Sequence, residues 1–381
     1  MTGADVITQT MQDAVEHGVF PGAVVSIRHR GFLVYERAFG ASIVEPHREP
    51  ATVESVYDLA SLTKPLATAT AILCLIQDGR VGLDDAIGSF FPELSRTAIG
   101  AALIRHLLNH CSGLPGWRPI YQWLGVSPVC GWQGSDEQRT ARLLQHLGRE
   151  ALKHPIGTRA IYSDLGFILL GLLIERVTGV PLDRYCRDRV YQRIGAKPLF
   201  FCFEREAGGN DVESVAFAAT ERDPWRGRVL RGEVHDENAY ALGGVAGHAG
   251  LFGSVRAVSR LVHVWLAAWL GSEEFLAPVL VREFTARQNI AVGSSWALGW
   301  DTPSPPSTSG RNFAAASFGH LGFTGTSVWV DPVAQLEVVL LSNRVHPTRQ
   351  NTKIQQFRPL IHDVIYETYV GRGEEANRWG S

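Results

Sequence analysis

The chain has 381 residues, 45% of them hydrophobic, and a net charge of −2 from 36 basic and 38 acidic side chains. This length suits one large domain or two interleaved lobes, each able to bury a core. Because no dense run of lysine or arginine appears, the charge pattern disfavours a nucleic-acid or anionic-membrane surface. We therefore expect a small-molecule partner.

Cysteine usage and the N-terminal sequence indicate a soluble cytoplasmic protein. Residues 1–20 carry Asp5, Asp13 and Glu16 between apolar positions, which is typical of an amphipathic helix and unlike a signal peptide. The longest apolar runs, such as 167–174, are too short for a membrane span. An odd number of widely spaced cysteines predicts reduced thiols. These cysteines are Cys74, Cys111, Cys130, Cys186 and Cys202.

The first elements after that helix are strands. Residues 22–28 and 32–39 are rich in β-branched and aromatic residues and are separated by a short turn, which predicts a hairpin. A polar, proline-containing stretch at 41–56 then forms a surface connection to the next helix.

That next helix is predicted from Ser61 to Gly79, where apolar residues recur at helical spacing before a glycine stop. Ser61 would lie in its first turn, where unpaired backbone N–H groups favour negative charge, and Lys64 would lie one turn further on the same face. Only four of the 36 basic residues are lysines, and only Lys64 has a serine three residues before it. The alternative is an N-cap serine followed by a solvated lysine.

The middle of the chain is mainly helical and its end returns to strands. Glycine-rich, irregular sequence at 205–255 predicts loops, and two strands are predicted around the turn at 331–332. Strands at both ends predict one antiparallel sheet with an inserted helical lobe, an α/β (α+β) fold. We assign residues 1–60 and 205–381 to the sheet lobe and 61–204 to the helical lobe. Further helices are predicted at 100–109, 136–150, 163–178, 181–194, 255–270 and 350–370.

Two more motifs accompany Ser61 and Lys64. Tyr162-Ser-Asp164 stands at the start of an apolar helix, and His320-Leu-Gly322 leads into a strand. Each has a structural explanation as well, since Asp164 could only cap the helix, Tyr162 could be a core ring and His320 a loop histidine.

In their order and spacing these motifs resemble the serine β-lactamase and penicillin-binding-protein superfamily, specifically its class C branch with related esterases. Ser61-Leu-Thr-Lys64 matches the family's S-x-x-K, Tyr162-Ser-Asp164 its Y-x-N, and His320-Leu-Gly322 its K-T-G or H-x-G. Segments 106–114 and 342–347 add to the resemblance, which covers nearly the whole chain. The implied fold is the β-lactamase/transpeptidase fold.

The resemblance also implies roles for individual residues. Ser61 would attack an acyl carbonyl, with Lys64 and Tyr162 as candidate bases. Backbone N–H groups of Ser61 and Phe323 would form the oxyanion hole. Asp164, His320 and Gly322 would line the substrate site, and neither a cofactor nor a metal is implied.

The implied activity is serine hydrolysis through an acyl-enzyme, acting on small acyl esters or on β-lactam amides. A D-alanyl-D-alanine carboxypeptidase is the alternative, and a non-catalytic binding or scaffold protein is the alternative from another class. Loops 112–135 and 205–255 would shape the substrate pocket.

Two other active sites are conceivable from the residues alone. Ala315-Ala-Ser317-Phe-Gly319 approximates a nucleophile elbow, but a strand rather than a helix is predicted after it. His106 and His110, with Cys111, have the spacing of zinc ligands on a helix, but no glutamate lies between them.

Overall fold

A computed structural model describes residues 2–201 and 215–371. Cys202 and the first part of loop 205–255 lie outside these residues. Eleven strands are present within the described ranges. They are β1 (Gly22–His29), β2 (Phe32–Ile43), β3 (Glu49–Pro50), β4 (Tyr57–Asp58), β5 (Leu199–Phe201), β6 (Arg222–Asp223), β7 (Arg228–Val229), β8 (Leu251–Gly253), β9 (Phe318–Leu321), β10 (Ser327–Asp331) and β11 (Leu336–Ser342).

The described residues also contain thirteen α-helices, with shorter 3-10 and π turns between some of them. The helices are α1 (Gly3–Glu16), α2 (Thr70–Gln77), α3 (Ile87–Phe90), α4 (Ile104–Leu108), α5 (Ile120–Leu124), α6 (Asp136–Arg149), α7 (Asp164–Thr178), α8 (Leu182–Cys186), α9 (Gln192–Ile194), α10 (Glu237–Ala241), α11 (Val255–Leu270), α12 (Pro278–Thr285) and α13 (Ile354–Tyr369).

The main sheet joins the two ends of the chain, as the sequence predicted. Its six strands run in the order β3-β2-β1-β11-β10-β9, and every pairing is antiparallel. The central pair is β1 with β11, in which Val25 lies opposite Leu340. The lobe boundaries at 60/61 and 204/205 stay a prediction.

Both faces of the sheet are buried, because strand side chains alternate between two cores. Val25 and Ile27 of β1 pack with α1 and α13, in a core that includes Met11 and Phe357. Val24 lies on the opposite face, in the larger core that also contains the helical residues. All seven residues of β11 are buried, which explains why its sequence is an almost continuous apolar run.

The helix predicted from Ser61 to Gly79 is instead three successive helical segments. Ala60–Leu62 is a 3-10 turn, Lys64–Ala69 a π-helix, and α2 follows. Pi-helical turns are rare and often mark functional sites. The stretch Ala60–Gln77 is apolar enough to cross a membrane, but 83% of its window is buried inside the protein.

We predict that a fragment ending at residue 200 does not fold. It would keep β1 and α1 but lose β11 and α13, and each large aliphatic side chain exposed in this way costs about 1.5–3 kcal/mol. Circular dichroism should show a cooperative melt for the full chain and none for the fragment. A cooperative melt of the fragment would contradict the dependence of β1 on β11.

Candidate active site

Ser61 lies on a tight turn that buried hydrogen bonds hold in place. The preceding residue, Ala60, has a φ of 47°, which is unfavourable for a residue with a Cβ and costs about 1–3 kcal/mol. Asp58 supports this turn, since Oδ1 accepts from the Ala60 N–H at 2.8 Å and Oδ2 from the His235 N–H at 2.7 Å. A buried carboxylate therefore fixes the backbone that presents Ser61.

Lys64 is completely buried, and three oxygen atoms of the described residues lie within hydrogen-bond distance of its ammonium group. Nζ lies 2.7 Å from Asp164 Oδ1, 3.0 Å from Ser61 Oγ and 3.2 Å from the His248 carbonyl oxygen. Burial by itself lowers the pKa of Lys64, but the Asp164 carboxylate and the Tyr162 phenol outweigh it, and the pKa is raised above 10.5. All three N–H bonds of the ammonium ion are thus satisfied.

Asp164 is free to pair with Lys64 because its neighbour caps the helix. The N-cap of α7 is Ser163, whose Oγ accepts from the Gly166 N–H at 3.3 Å. The interpretation of Asp164 as only a helix cap is therefore wrong. Its carboxylate instead forms the closest contact of Lys64.

Tyr162 lies over the Lys64 ammonium within a cluster of aromatic rings. Nζ is 4.7 Å from the centre of the Tyr162 ring, and the rings of His110 and Trp296 lie 4.6 and 5.2 Å from it. Desolvation raises the pKa of Tyr162 above its ordinary value, with Lys64 acting in the opposite direction.

His320 is neutral and its tautomer follows from its contacts. Nδ1 lies 2.8 Å from the Leu321 carbonyl oxygen, which can only accept, so Nδ1 carries the proton. Burial, with a contribution from Lys64, lowers the pKa of His320 to about 3. Nε2 is therefore an unprotonated acceptor, and it has no partner among the described residues.

Two arginines hold the backbone on either side of the Phe323 Cα. The Gly322 carbonyl accepts from Arg358 Nη2 at 2.7 Å, and the Phe323 carbonyl accepts from Arg344 Nε at 2.7 Å. In a trans peptide C=O and N–H point in opposite directions, so the Phe323 N–H is directed away from Arg358.

Close packing explains the glycine at 322. A Cβ on Gly322 would lie 2.0 Å from Thr326 Oγ1 and 2.6 Å from the Leu59 carbonyl oxygen. The end of β9 therefore approaches the Ser61 turn as closely as backbone allows. Sequence reasoning found Gly322 but not Arg344, Arg358 or Trp296, because no local pattern marks a partner that is distant along the chain.

The two alternative active sites receive no support from the geometry. Ser317 is buried and precedes strand β9, so the strand-serine-helix order of an elbow is missing. His106 and His110 accept backbone N–H groups of Leu103 and Ser163 through Nδ1. Among the described residues no three His, Cys, Asp or Glu side chains form a metal-binding group.

Comparison with known proteins identifies the family. A family model described as Beta-lactamase matches residues 7–360. The chain belongs to the beta-lactamase family. An Escherichia coli K12 member named "Putative D-alanyl-D-alanine carboxypeptidase" is 31% identical over 354 residues, which cover 86% of this chain and 79% of the relative. This chain is a serine hydrolase of the beta-lactamase and penicillin-binding-protein family.

Solved structures show the same fold across this family. EstCE1, a hydrolase with promiscuous acyltransferase activity, superposes with a TM-score of 0.74 at 24% identity, covering 96% of this chain and 98% of its own. An octameric penicillin-binding protein homologue from Pyrococcus abyssi gives a TM-score of 0.69 at 22% identity, covering 94% and 77%. The β-lactamase/transpeptidase fold expected from the sequence is thereby confirmed.

We predict that Asp164→Asn lowers the pKa of Lys64. The amide keeps the side-chain shape but removes the charge that offsets burial, so desolvation should then dominate. The chain has only four lysines. Their ¹³Cε signals can therefore be followed individually in an NMR pH titration.

The matched control is Asp84→Asn, which removes a surface carboxylate paired with Arg105. This variant should leave the Lys64 signal unchanged. An unaltered Lys64 pKa in Asp164→Asn would show that the carboxylate does not hold the ammonium form.

Proposed function

We propose that this family member is a class C-like serine hydrolase that cleaves small acyl esters through an acyl-enzyme on Ser61. The observation that carries the proposal is the contact between Ser61 Oγ and Lys64 Nζ at 3.0 Å, on a lysine that also binds Asp164. A serine hydroxyl becomes a nucleophile only beside a base that takes its proton. The site offers two candidates, Lys64 and Tyr162.

Tyr162 is the better candidate for the proton acceptor. The pKa of both groups is raised, but deprotonating Lys64 would break its ion pair with Asp164, whereas deprotonating Tyr162 places a phenolate beside the ammonium ion. In the proposed reaction the Tyr162 phenolate takes the Ser61 proton as Oγ attacks the acyl carbon. The phenol then returns that proton to the departing alcohol oxygen when the acyl-enzyme forms. Water then attacks the acyl-enzyme in the same way. The Tyr162 phenolate takes a proton from the water and returns it to Ser61 Oγ as the acid is released, while Lys64 stays positively charged and stabilises the phenolate.

The oxyanion of each tetrahedral intermediate would be bound by the N–H groups of Ser61 and Phe323. The Ser61 N–H lies in the first turn of a 3-10 helix, where backbone donors lack partners within the helix. The Phe323 N–H is oriented by the fixed Gly322 carbonyl. Donors held in this way stabilise charge without reorganising during the reaction.

The neutral His320 favours substrates without a carboxylate beside the reacting carbonyl. Its free Nε2 accepts hydrogen bonds and would face a carboxylate lone pair unfavourably. Arg344 and Arg358 already donate to main-chain carbonyls, so neither replaces a lysine at this position. Uncharged esters fit this site better than penicillins. The second candidate, D-alanyl-D-alanine carboxypeptidase activity, is favoured by the name of the 31% identical relative.

We predict that short-chain esters acylate Ser61 faster than penicillin does. Intact-mass measurements after incubation with p-nitrophenyl butyrate, benzylpenicillin and a D-Ala-D-Ala peptide would compare the three substrate classes, with peptide mapping to locate the adduct. His320→Lys should raise the penicillin acylation rate at least about tenfold, since a buried lysine near a carboxylate restores a charge-assisted contact worth more than 1.4 kcal/mol.

Ser61→Ala is the control and should give no adduct with any of the three compounds. An adduct on Ser317, or wild-type penicillin turnover faster than ester turnover, would overturn the assignment. Preferred acylation by the D-Ala-D-Ala peptide would favour the carboxypeptidase instead.

We also predict that kcat/KM for esters rises with pH from neutral to about pH 10. The raised pKa of Tyr162 keeps the phenol protonated near pH 7, so the reactive phenolate increases tenfold per pH unit. Tyr162→Phe should lower kcat/KM by about 10²- to 10⁴-fold. The matched control is Tyr35→Phe, because the Tyr35 hydroxyl, which lies in the hairpin, bonds only Thr8 among the described residues. A plateau already reached at pH 7 would exclude Tyr162 as the base.

A further inference from the structure

His110 contacts the residues on both sides of Tyr162. Its carbonyl oxygen accepts from the Ile161 N–H at 2.8 Å, and its Nδ1 accepts from the Ser163 N–H at 3.0 Å. Its ring also packs on the Tyr162 ring, with centres 4.6 Å apart. One residue thus binds the backbone before Tyr162, the backbone after it, and the ring itself.

The segment that carries Tyr162 has no regular secondary structure of its own. Residues 159–163 are neither helix nor strand, and α7 begins only at Asp164. Without a ladder of backbone bonds, a tyrosine in such a segment depends on tertiary contacts for its position. The two hydrogen bonds to His110 are contacts of this kind.

The contact through Nδ1 fixes the protonation state of His110. A nitrogen that accepts a backbone N–H must carry a lone pair, so in the neutral ring the proton is on Nε2. Burial, with smaller effects from Lys64 and His320, keeps the pKa of His110 well below 6.5. The acceptor is therefore available throughout the pH range in which the phenolate of Tyr162 would act.

The backbone of His110 is itself unusual. Its φ of 60° is in the left-handed region, which residues other than glycine adopt uncommonly, although histidine does so more often than most. The side chain is also 1% exposed, so it does not reach a substrate. His110 is buried, has a left-handed backbone and hydrogen-bonds the residues on both sides of Tyr162. These features indicate more than a packing role in the core.

We infer that His110 is a positioning residue that holds the Tyr162 phenol over Ser61 and Lys64. This inference rests on the proposed role of Tyr162 as proton acceptor and extends it to a residue outside the substrate pocket. His110 acts on the reaction through Tyr162, although its ring also contacts the rings of Phe167 and Trp296, with centres 5.1 and 4.6 Å away. Its effect on the reaction should therefore vanish when the phenol is removed.

A double-mutant cycle with Tyr162→Phe tests this, with p-nitrophenyl butyrate as the substrate. His110→Gly keeps the left-handed backbone without strain but removes the acceptor and the ring. It should lower kcat/KM about 10- to 100-fold when Tyr162 is present, because misplacing a reacting group by about 1 Å costs up to about 100-fold. In the Tyr162→Phe background the same change should cost less than about threefold.

His110→Asn provides the rescue. Asparagine tolerates the left-handed conformation and places Oδ1 the same number of bonds from the backbone as Nδ1. It should recover kcat/KM to within about threefold of wild type. His106→Ala is the control in helix α4, which ends just before His110, since the His106 side chain bonds only the Leu103 N–H among the described residues and its loss should leave ester hydrolysis unchanged in both backgrounds.

Three results would overturn the inference. They are an equal loss from His110→Gly in both backgrounds, an Asn variant as defective as the Gly variant, or loss of the folded near-UV circular dichroism signal in His110→Asn. The proposed function fails separately, through absence of an acyl adduct on Ser61 in the wild type. If that adduct forms but the double-mutant cycle gives zero coupling energy between His110 and Tyr162, the positioning role of His110 is contradicted and the proposed function is not.

Discussion

The site depends on keeping one fully buried ammonium ion satisfied. Removing a charge from water costs several kcal/mol, and a buried ion is stable only when paired and fully hydrogen-bonded. The partners of Lys64 come from three separate parts of the chain, namely the Ser61 turn, the start of α7 at Asp164 and the carbonyl of His248. Satisfying this cation therefore brings together the residues that the proposed chemistry uses.

The glycine-rich segment at 234–251, which supplies the His248 carbonyl to the same cation, is itself fixed by hydrogen bonds. Thr68 Oγ1 donates to the Gly247 carbonyl at 2.6 Å, and the Leu59 N–H donates to the Leu251 carbonyl at 2.9 Å. His248 bonds Asp236, which in turn caps α10. A carboxylate-imidazole pair thus fixes the segment whose carbonyl binds Lys64. In the sequence this stretch could be predicted only as a loop, because its order comes from tertiary contacts.

Sequence patterns predicted the long elements and the spacing of the chemistry. The strands β1 and β11 and the helices α6, α7 and α11 have clear periodicity, and Ser61 with Lys64 is a local motif. The burial of the site residues, and their contacts with residues distant along the chain, could not be predicted. The sequence indicates the cation beside Tyr162, which lowers the pKa of the phenol, but not the desolvation, which raises it. Ser163 caps α7 in place of Asp164, which only backbone geometry decides.

Asp164 links the stability of the site to its reactivity. A carboxylate in place of the family's usual asparagine strengthens the hold on the buried ammonium, and it also raises the pKa of both Lys64 and Tyr162. Each pKa unit above the working pH removes a factor of ten from the population of the free base, equivalent to about 1.36 kcal/mol. Such a site lowers barriers less than one with a free amine, so it suits carbonyls that are already reactive. Esters meet this condition better than unstrained amides, which is one reason we propose ester substrates, and in that proposal the neutral His320 disfavours substrates that carry a carboxylate. The charge at residue 164 and the tautomer at residue 320 therefore both support the proposed class of substrate.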